Sequence, residues 1–505
     1  MTIKVFTGLA NPGLVTDPPV TELPPGAWTD AKNVRFVNGA VRKIRGHSQF
    51  MTATVGEPRL VFSTPNIAVG YATGGGTDAI RYIDTGGTDT DISSGALAAS
   101  IITGFTYDTL PGGVLVFNPS DSNQPVYSID SGSGPSTVAA LPNWPSDVTT
   151  CRVLRSYKSF LVAMSIIDEN GEHPEQFLWS NRADPGQPPT SWDPADTTQP
   201  TGQATLPFGG FVQDAAVLRD SLIIYQKNNI YALTEVGGVS IMSLRRLFSE
   251  VGAFSTNCVM PWRNQHLFLS ENGIFLHDGG QIQSVVDGRV RTAIFGSDFG
   301  AQFKPYLALN EKHNEIWICL PPRGTLDLGS TLAWVWNYQD NTWTKRDIPR
   351  SYHATLVNVR TQIGSDSPED ESSLVLADMA NSVLVLIDDT EQFAGVNMTA
   401  YAERRALPLG ALGVFDHRRM KFIREITPVI TGTAGGVVNV YLGVRDSVDG
   451  TRVWNGPFPY TIGTSRKVNC RVSGRVIDIK FESTTNITWE LHSYGIDYRL
   501  ADARR

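Results

Sequence analysis

The stretches LRDSLIIYQKNNIYALTEVGG (218–238) and NQHLFLSENGIFLHDGGQIQSV (264–285) have the same construction. Each begins with an apolar run, turns through a short polar segment, and returns as a second apolar run followed by an acidic residue and glycines. The turns KNN and ENG supply residues that tolerate positive φ, and apolar runs bounded by such turns are typical of β-hairpins. We therefore predict a strand–turn–strand unit in each stretch.

The same unit recurs about seven times between residues 58 and 390, at intervals of roughly 40 to 60 residues, which is typical of propeller blades. A closed ring of blades also removes the exposed sheet edges that separate small domains would leave. We therefore predict an all-β fold, with a β-propeller of seven blades and an additional C-terminal β-sandwich-like domain. Six and eight blades are alternatives, and a long sandwich or several small β-domains is the competing interpretation.

Two further segments flank the repeats. The stretch LPPGAWTDAKNVRFVNGAVRKIRGH (23–47) contains Asn38-Gly39, which predicts a two-residue hairpin turn. The alternation in VIDIKF (476–481) predicts a strand with one wet and one buried face. The predicted organisation is an N-terminal arm and hairpin (1–57), a propeller (58–394) and a C-terminal sandwich or platform (395–505). We expect the arm to dock on the C-terminal domain or on a neighbouring subunit.

Charge and cysteine content exclude some classes of protein for this chain. The chain has 42 basic and 50 acidic residues, and its net charge of −8 argues against gripping DNA but not against letting DNA pass. The four cysteines lie far apart in the sequence, which favours buried thiols in a reducing cytosol over a zinc site or disulfides. No run reaches about 18 apolar residues, and the start lacks a signal-peptide core, so we expect a cytoplasmic product without a membrane-spanning segment.

Few residues suggest chemistry. No G-x-S-x-G elbow and no Walker-type phosphate loop occurs. His266 and His277 flank a predicted hairpin and are placed to meet across it, but we interpret them as ordinary strand residues rather than as a metal or catalytic pair. We predict no catalytic, cofactor-binding or metal-binding residue, so the chain is expected to need no cofactor and not to be an enzyme.

The loop FLWSNRADPGQPPTSWDPADTT (177–198) has two interpretations. Its aspartates Asp184, Asp193 and Asp196 fit a sugar-cleaving site, since propellers host glycosidases that use paired carboxylates. The favoured interpretation is a proline-stiffened loop that packs Trp179 and Trp192 over a neighbour, because loops of this length are usually functional or interfacial.

Four segments, in this order along the chain, carry a resemblance. They are LPPGAWTDAKNVRFVNGAVRKIRG (23–46), LWSNRADPGQPPTSWDP (178–194), LRDSLIIYQKNNIYALTEVGG (218–238) and SGRVIDIKFESTTNITWELHSYGIDY (473–498). Together they resemble the tail nozzle (tail tubular) and hub proteins of short-tailed bacteriophages. The resemblance spans almost the whole chain, and the order of the segments is more specific than any one of them.

The resemblance implies a structural virion protein, located in the tail and assembled in the cytoplasm of the host bacterium. It implies a propeller subunit, six copies of which form a ring or tube below the portal and its adaptor protein. The tube closes the virion, carries tail fibre, spike or needle proteins, and lets double-stranded DNA pass without specific binding. The resemblance supplies no catalytic residues, and the modest chain length implies a short nozzle. A carbohydrate-binding or carbohydrate-cleaving propeller, and a signalling or scaffold propeller of the cell, are the rival hypotheses.

Two sets of residues are candidates for these roles. A two-residue turn places Arg35 opposite Arg42, where like charges destabilise a monomer by about a few tenths of a kcal/mol. The hairpin then presents either a solvated basic face or a face that meets an acidic surface on an adjacent subunit or the adaptor. The candidate interface residues are Trp28, Arg35, Arg42, Lys43, Arg45, Trp179 and Trp192.

The channel wall is expected to carry more Asp and Glu than Lys and Arg, since phosphate contacts would slow sliding DNA. Candidates are Asp366, Glu369, Asp370 and Glu371 in the acidic stretch DSPEDE (366–371). The alternative for this stretch is a solvated outer turn that is acidic for solubility.

Overall fold

The computed structural model describes residues 2–74, 78–93, 106–119, 124–208, 210–286, 288–296, 305–321, 329–358, 372–410 and 414–500. Strands dominate this part of the chain. The helical elements within it are one α-helix, α1 (Arg291–Phe295), and two 3-10 turns, Gly238–Ser240 and Glu311–His313. Across these ranges, no helix is long and apolar enough to cross a membrane.

Five short strands precede the repeats. They are β1 (Thr2–Phe6), β2 (Asp30–Lys32), β3 (Val34–Val37), β4 (Ala40–Lys43) and β5 (His47–Gln49). Between β3 and β4, Asn38 and Gly39 have positive φ of 52° and 80°, as a type I′ turn requires, and Arg35 lies opposite Arg42. The predicted two-residue hairpin and its register are confirmed.

Seven four-stranded antiparallel sheets follow along the chain. Blades 1 to 3 are β6 (Glu57–Phe62), β7 (Val69–Gly74), β8 (Ile80–Ile83) and β9 (Asp89–Asp91); β10 (Thr106–Leu110), β11 (Val114–Asn118), β12 (Val126–Ile129) and β13 (Ala139–Ala140); β14 (Val148–Tyr157), β15 (Phe160–Asp168), β16 (Gly171–Trp179) and β17 (Gly202–Thr205). Blades 4 and 5 are β18 (Val212–Leu218), β19 (Ser221–Gln226), β20 (Asn229–Glu235) and β21 (Met242–Ser249); β22 (Val259–Trp262), β23 (Gln265–Ser270), β24 (Gly273–His277) and β25 (Ile282–Ser284). Blade 6 is β26 (Tyr306–Asn310), β27 (Glu315–Leu320), β28 (Ser330–Asn337) and β29 (Thr342–Ser351). Blade 7 has β30 (Ala354–Asn358), β31 (Ser372–Asp378) and β32 (Val383–Ile387), and takes β5 as its fourth strand.

The ring is closed by this borrowed strand. β5 pairs antiparallel with β32, with His47 opposite Ile387 and Gln49 opposite Val385. The first strands of blades 2 to 7 contact one another in sequence, and that of blade 7 contacts that of blade 1. The prediction of a seven-bladed propeller is confirmed.

Apolar clusters between blades explain the continuous apolar runs in the sequence. Leu60 and Phe62 of blade 1 pack with Leu115 and Phe117 of blade 2, and similar clusters join blades 2 to 5 and join blade 7 to blades 6 and 1. A middle strand of a blade therefore has both faces buried, so its sequence shows no polar alternation.

The remaining strands form a two-sheet sandwich, as predicted. They are β33 (Ala400–Arg404), β34 (Lys421–Gly432), β35 (Val437–Arg445), β36 (Val453–Thr461), β37 (Val468–Gly474), β38 (Val476–Ser483) and β39 (Trp489–Leu500). One sheet has the order β3-β4-β39-β34-β37, with β1 also paired to β39, and the other has the order β2-β33-β38-β35-β36. Its apolar core continues into blades 5 and 6 through residues such as Leu267 and Trp343, so the two units share one core.

The domain boundary expected at residue 57 does not follow the structure. β1, β3 and β4 lie in one sandwich sheet, β2 lies in the other, and β5 lies in blade 7. Residues 1–57 are therefore not a separate arm that docks on a finished domain. They supply strands without which neither the sandwich nor the propeller is complete.

Candidate functional site

A cavity of about 350 Å³ lies where the first strands of blades 1 to 5 converge. Its titratable lining comprises Tyr107, Asp108, Arg155, Asp214 and His353. These side chains come from β10, β14 and β18 and from the residue that precedes β30. The cavity therefore collects titratable groups from four different blades.

Arg155 and Asp214 form the central ion pair of this cavity. Arg155 Nε and Nη2 both donate to Asp214 Oδ1, at 3.0 and 2.6 Å, and Nη1 donates to the carbonyl of Tyr107 at 2.8 Å. Asp214 Oδ2 accepts the backbone N–H of Asn257 at 3.0 Å. Burial opposes the charge of Arg155, but Asp214 and Asp108 outweigh it and raise the pKa of the guanidinium.

The pKa values of Asp108 and His353 are shifted in the direction of the neutral form of each group, chiefly by burial. Burial raises the pKa of Asp108, although Arg155 and the N–H of Ser156, which donates to Oδ2 at 2.7 Å, act in the opposite direction. Burial lowers the pKa of His353 to about 4, and Arg155 lowers it further. A neutral ring agrees with the geometry, because His353 Nδ1 accepts the N–H of Val61 at 3.4 Å.

These groups do not form a sugar-cleaving pair of carboxylates within the described residues. Such a pair needs one carboxyl to protonate the leaving group and a second, ionised carboxylate free to attack or to activate water. Both oxygens of Asp214 are occupied by Arg155 and by backbone N–H groups. The arrangement holds strands of neighbouring blades together and leaves one surplus carboxyl, Asp108, facing the cavity.

A second charged cluster joins the sandwich to the propeller. Arg35 of β3 donates from Nε to Glu315 Oε1 at 2.5 Å and from Nη2 to Asp388 Oδ2 at 2.6 Å. Arg346 of β29 donates to Asp388 Oδ1 at 2.8 Å, and its guanidinium lies 4.6 Å from the ring centre of Trp317. We call Arg35, Glu315, Arg346 and Asp388 the junction network.

The junction network is balanced, with two cations and two anions. Although burial opposes ionisation, Arg346 and Arg35 hold the pKa of Asp388 far below its usual range. Asp388 and Glu315 likewise raise the pKa of Arg35 despite its burial. Asp388 and Arg35 therefore stay charged across the ordinary pH range.

The hairpin candidates for an interface divide into buried and exposed residues. The structure corrects the interpretation of Trp28, Arg35 and Lys43 as contact residues for a partner. Trp28 is 1% exposed and donates to the carbonyl of Leu9 at 2.7 Å. Lys43 donates to the carbonyls of Thr485 and Ile487, both at 2.8 Å. These side chains are buried and form their hydrogen bonds within their own chain, so they cannot contact a partner.

Arg42 and Arg45 remain at the surface. Arg42 pairs with Glu490 at 2.9 Å and Arg45 with Glu391 at 3.1 Å, and their side chains are 48% and 54% exposed. The hairpin face is therefore neither fully solvated nor uniformly basic, because β39 and the segment after β32 supply carboxylates.

The loop candidates also lie inside the protomer. Trp192 is 1% exposed and meets Trp144 edge to face at 4.9 Å, and Trp179 donates to the carbonyl of Pro200 at 3.1 Å. Both tryptophans pack within their own propeller and are not available to another subunit. The channel candidates Asp366, Glu369, Asp370 and Glu371 lie outside the described residues.

The predicted meeting of His266 and His277 across a hairpin is confirmed. The two residues are opposite each other in β23 and β24, and the hydroxyl of Tyr225 lies 2.8 Å from His266 Nδ1 and 2.5 Å from His277 Nε2. His266 Nε2 donates to the carbonyl of Val217, and His277 Nδ1 accepts the N–H of Gly279. Every ring nitrogen is thus satisfied in a neutral tautomer, and burial lowers the pKa of His277 to about 4.

The cysteines of the chain are neither reactive nor grouped around a metal site within the described residues. The expectation of buried thiols is confirmed, since Cys151, Cys258, Cys319 and Cys470 are buried and unpaired. Burial raises the pKa of Cys258 and Cys319 to about 12, so neither is a reactive thiolate. The described ranges contain no group of three or more His, Cys, Asp or Glu side chains able to hold a metal ion.

The sequence interpretation missed both charged clusters. Asp108, Arg155 and Asp214 lie in the first strands of blades, within TYDTL, VTTCRVLRSY and VQDAAVL. A charge within the first strand of a repeat unit is a usable signal, because those strands converge at the propeller centre. The junction network has no such local signal.

The fold defines a seven-bladed β-propeller protein with an intertwined β-sandwich. No protein-family model and no curated protein sequence matches the chain. The solved structures similar to it include a streptogramin B lyase structure (13% identity, TM-score 0.40, 67% of this chain and 95% of that chain), the WD40 β-propeller domain of Doa1 (11%, 0.38, 68% and 96%) and YCF48 bound to D1 peptide (9%, 0.37, 68% and 99%). Identity at this level transfers no property of these proteins to this chain.

Proposed function

We propose that this chain is a structural subunit of the tail nozzle or hub of a short-tailed bacteriophage. In this role it extends the DNA-ejection channel below the portal and adaptor, closes it, and carries tail fibre, spike or needle proteins. The expected assembly is a ring of six copies, which requires heterologous contacts between different patches of one subunit.

The observation that carries the proposal is where the resembling segments lie. Segment 23–46 and segment 473–498 are far apart in the sequence, yet they pair in one sheet, with Arg42 opposite Glu490 and Val41 opposite Leu491. The resemblance therefore concerns the connection between sandwich and propeller, and not only a generic propeller repeat. Shared strands and a shared core fix the geometry of the two units, which suits a subunit of a closed ring.

The experiment is direct imaging of the purified full-length protein. Mass photometry should give a single species of about six copies at low salt, and negative-stain images should show rings or short tubes with a central opening. A stable monomer that cleaves or binds polysaccharide would overturn the proposal in favour of the carbohydrate hypothesis. A stable monomer without glycan activity would favour a cellular scaffold.

For the channel we propose a wall that does not hold DNA. Residues 47–394, which contain all seven blades, carry 37 acidic and 20 basic residues. A channel lined by this unit repels phosphate, so DNA can slide. A gel-shift assay at low salt should show no appreciable affinity of the assembled ring for duplex DNA, whereas tight salt-sensitive binding would contradict the sliding channel.

A further inference from the structure

One face of the sandwich is unlike the rest of the chain. In β34, Ile423, Ile426 and Ile430 point into the sandwich core, while Phe422 and Val429 are exposed on the opposite side. We call this outer side of the sheet formed by β1, β39, β34 and β37, together with residues 414–420, the basic sheet face.

Six exposed arginines lie on the basic sheet face. Phe422 is opposite both Arg499 of β39 and Ser473 of β37, and directly opposed residues of antiparallel strands share a face. The six residues are Arg418, Arg419, Arg424, Arg471, Arg475 and Arg499.

The loop that carries two of these arginines is fixed in place. The buried ammonium of Lys421 donates to the carbonyls of Arg419 at 3.0 Å and Arg475 at 2.6 Å. Arg475 Nη1 donates to the carbonyl of Arg418 at 3.1 Å. The arginines are thus held together by the fold.

Among the residues that the structure describes, most of these cations form no salt bridge with a carboxylate. Arg424 pairs with Asp497 at 2.8 Å. Within the part of the chain that the structure describes, the other five arginines of the face have no carboxylate within 4.0 Å. Asp416 in the same loop interacts electrostatically with Arg419, but the remaining cations of the face repel one another, and an acidic partner would relieve that repulsion.

Apolar side chains occupy the same face. Ile3 and Val5 of β1 are 69% and 59% exposed, and Phe422 and Val429 are 41% and 49% exposed. Val5 lies opposite Gly495, which in turn lies opposite Thr427, so the apolar side chains of β1 and β34 lie on the same side of three adjacent strands. Apolar side chains flanked by arginine are the composition of a protein interface, whereas phosphate binding alone needs no apolar centre.

The chain contains the complementary charge. Outside residues 47–394, the chain has 22 basic and 13 acidic residues, the reverse of the propeller segment. On blade 3 the hairpin between β15 and β16 has four carboxylates in eight residues, Asp168, Glu169, Glu172 and Glu175. Asp168 pairs with His173 at 2.9 Å, while Glu169 and Glu172 are exposed and have no cationic partner within the described ranges.

We propose that the basic sheet face docks on the acidic β15–β16 hairpin of a second copy of this chain. The contact is heterologous, since it joins a sandwich patch of one copy to a propeller patch of the next, as ring assembly requires. This inference deepens the proposed function and rests on its ring assembly. It also explains why an assembled ring would not grip DNA, because the contact covers the arginines.

The test is a charge exchange in the full-length chain. The first variant is Arg471→Glu with Arg499→Glu, the second is Glu169→Arg with Glu172→Arg, and the third combines all four substitutions. A control variant, Arg152→Glu with Arg245→Glu, makes the same net charge change at exposed propeller arginines. Circular dichroism establishes that each variant is folded, and mass photometry against salt concentration measures assembly.

We expect the first and second variants to assemble about tenfold or more weakly than wild type and the control, because each places like charges in contact. The third variant should regain rings, since its sheet face is acidic and its hairpin basic. Wild-type rings that persist in the first or second variant would overturn this inference and leave the proposed function standing. A third variant that fails to form rings would also overturn this inference. The same holds if the wild-type ring binds DNA and the first variant loses that binding. A wild-type chain that stays monomeric would overturn both.

Discussion

The junction network and the propeller cavity use the same groups in opposite settings. At the junction, Arg35, Glu315, Arg346 and Asp388 are at most 7% exposed and their charges balance. In the cavity, Arg155 is 14% exposed, faces open volume, and has two carboxyl groups as neighbours. The difference predicts that losing one charge lowers the stability more at the buried, balanced junction than beside the open cavity.

The first and largest effect is expected from breaking the junction network. Arg35→Ala leaves Glu315 and Asp388 buried with less compensation, and removing one partner from a buried ion network costs about 3–5 kcal/mol. Urea unfolding should show this loss in the free energy of unfolding. A loss below about 1 kcal/mol would mean that the network is not what holds the sandwich to the propeller.

Acid should weaken both regions through histidines. Burial lowers the pKa of His353 at the cavity and of His47 beside Arg346 at the junction to about 4, against 6.5 in the unfolded chain. The unfolded state therefore binds these protons first. The stability contribution is complete above pH 6.5 and is lost as the pH falls toward 4.

Each of these histidines should lower the free energy of unfolding by about 2–3 kcal/mol at pH 4.5. Asp108, whose pKa is raised, acts in the opposite direction because its folded form gains a proton more readily. Unfolding free energies at pH 7.5 and 4.5 measure the sum. In His353→Gln, the loss of unfolding free energy between pH 7.5 and 4.5 should shrink by the contribution of one histidine. An unchanged loss would contradict the assignment of a low pKa to His353.

A smaller effect is expected from the cavity ion pair. Asp214→Asn keeps the shape of the side chain but removes the charge that faces Arg155. Because Arg155 still reaches the cavity, solvent compensates part of the loss, and we expect about 1–2 kcal/mol. Thermal unfolding of this variant beside Arg35→Ala compares the two regions directly. Equal losses of stability in Asp214→Asn and Arg35→Ala would show that solvent compensates no more at the cavity than at the junction.

The smallest effect is expected at the surface. Arg42 lies across the hairpin from Arg35 but is half exposed, so Arg42→Ala should cost less than about 1 kcal/mol. Raising the salt concentration should reduce this small loss further. A loss comparable to that of Arg35→Ala would mean that the hairpin itself, rather than the junction network, is the sensitive element.

The contrast between these two arginines also marks the limit of sequence interpretation. Local rules predicted the hairpin turn at Asn38-Gly39 and the register that pairs Arg35 with Arg42. They could not predict that Arg35 is buried, because its partners lie 280 and 353 residues away in the chain. The regular spacing of strand units likewise predicted the blade number, since each hairpin is a local structure.

The rest of the site depends on contacts between distant segments. β5 has only three residues, HSQ, and a strand of that length has no periodicity to recognise. Trp192 was expected at an interface because loops of this length are usually functional or interfacial, and Trp28 was a candidate as part of the N-terminal hairpin stretch. In this fold they fill gaps between strands of their own chain, and only the assembled core reveals that.

The strand that closes the ring has a consequence for synthesis. Residues 47–49 leave the ribosome long before β32, their partner, and residues 41 and 42 long before β39. The propeller can therefore close only after β32 has emerged, and the sandwich only after β39 has emerged much later in the chain. A truncated product lacks its last sandwich strands and leaves β1 and β4 without β39, the strand that both pair with. Such a product exposes apolar edges to chaperones and proteases, so only full-length copies are fit to enter an assembly.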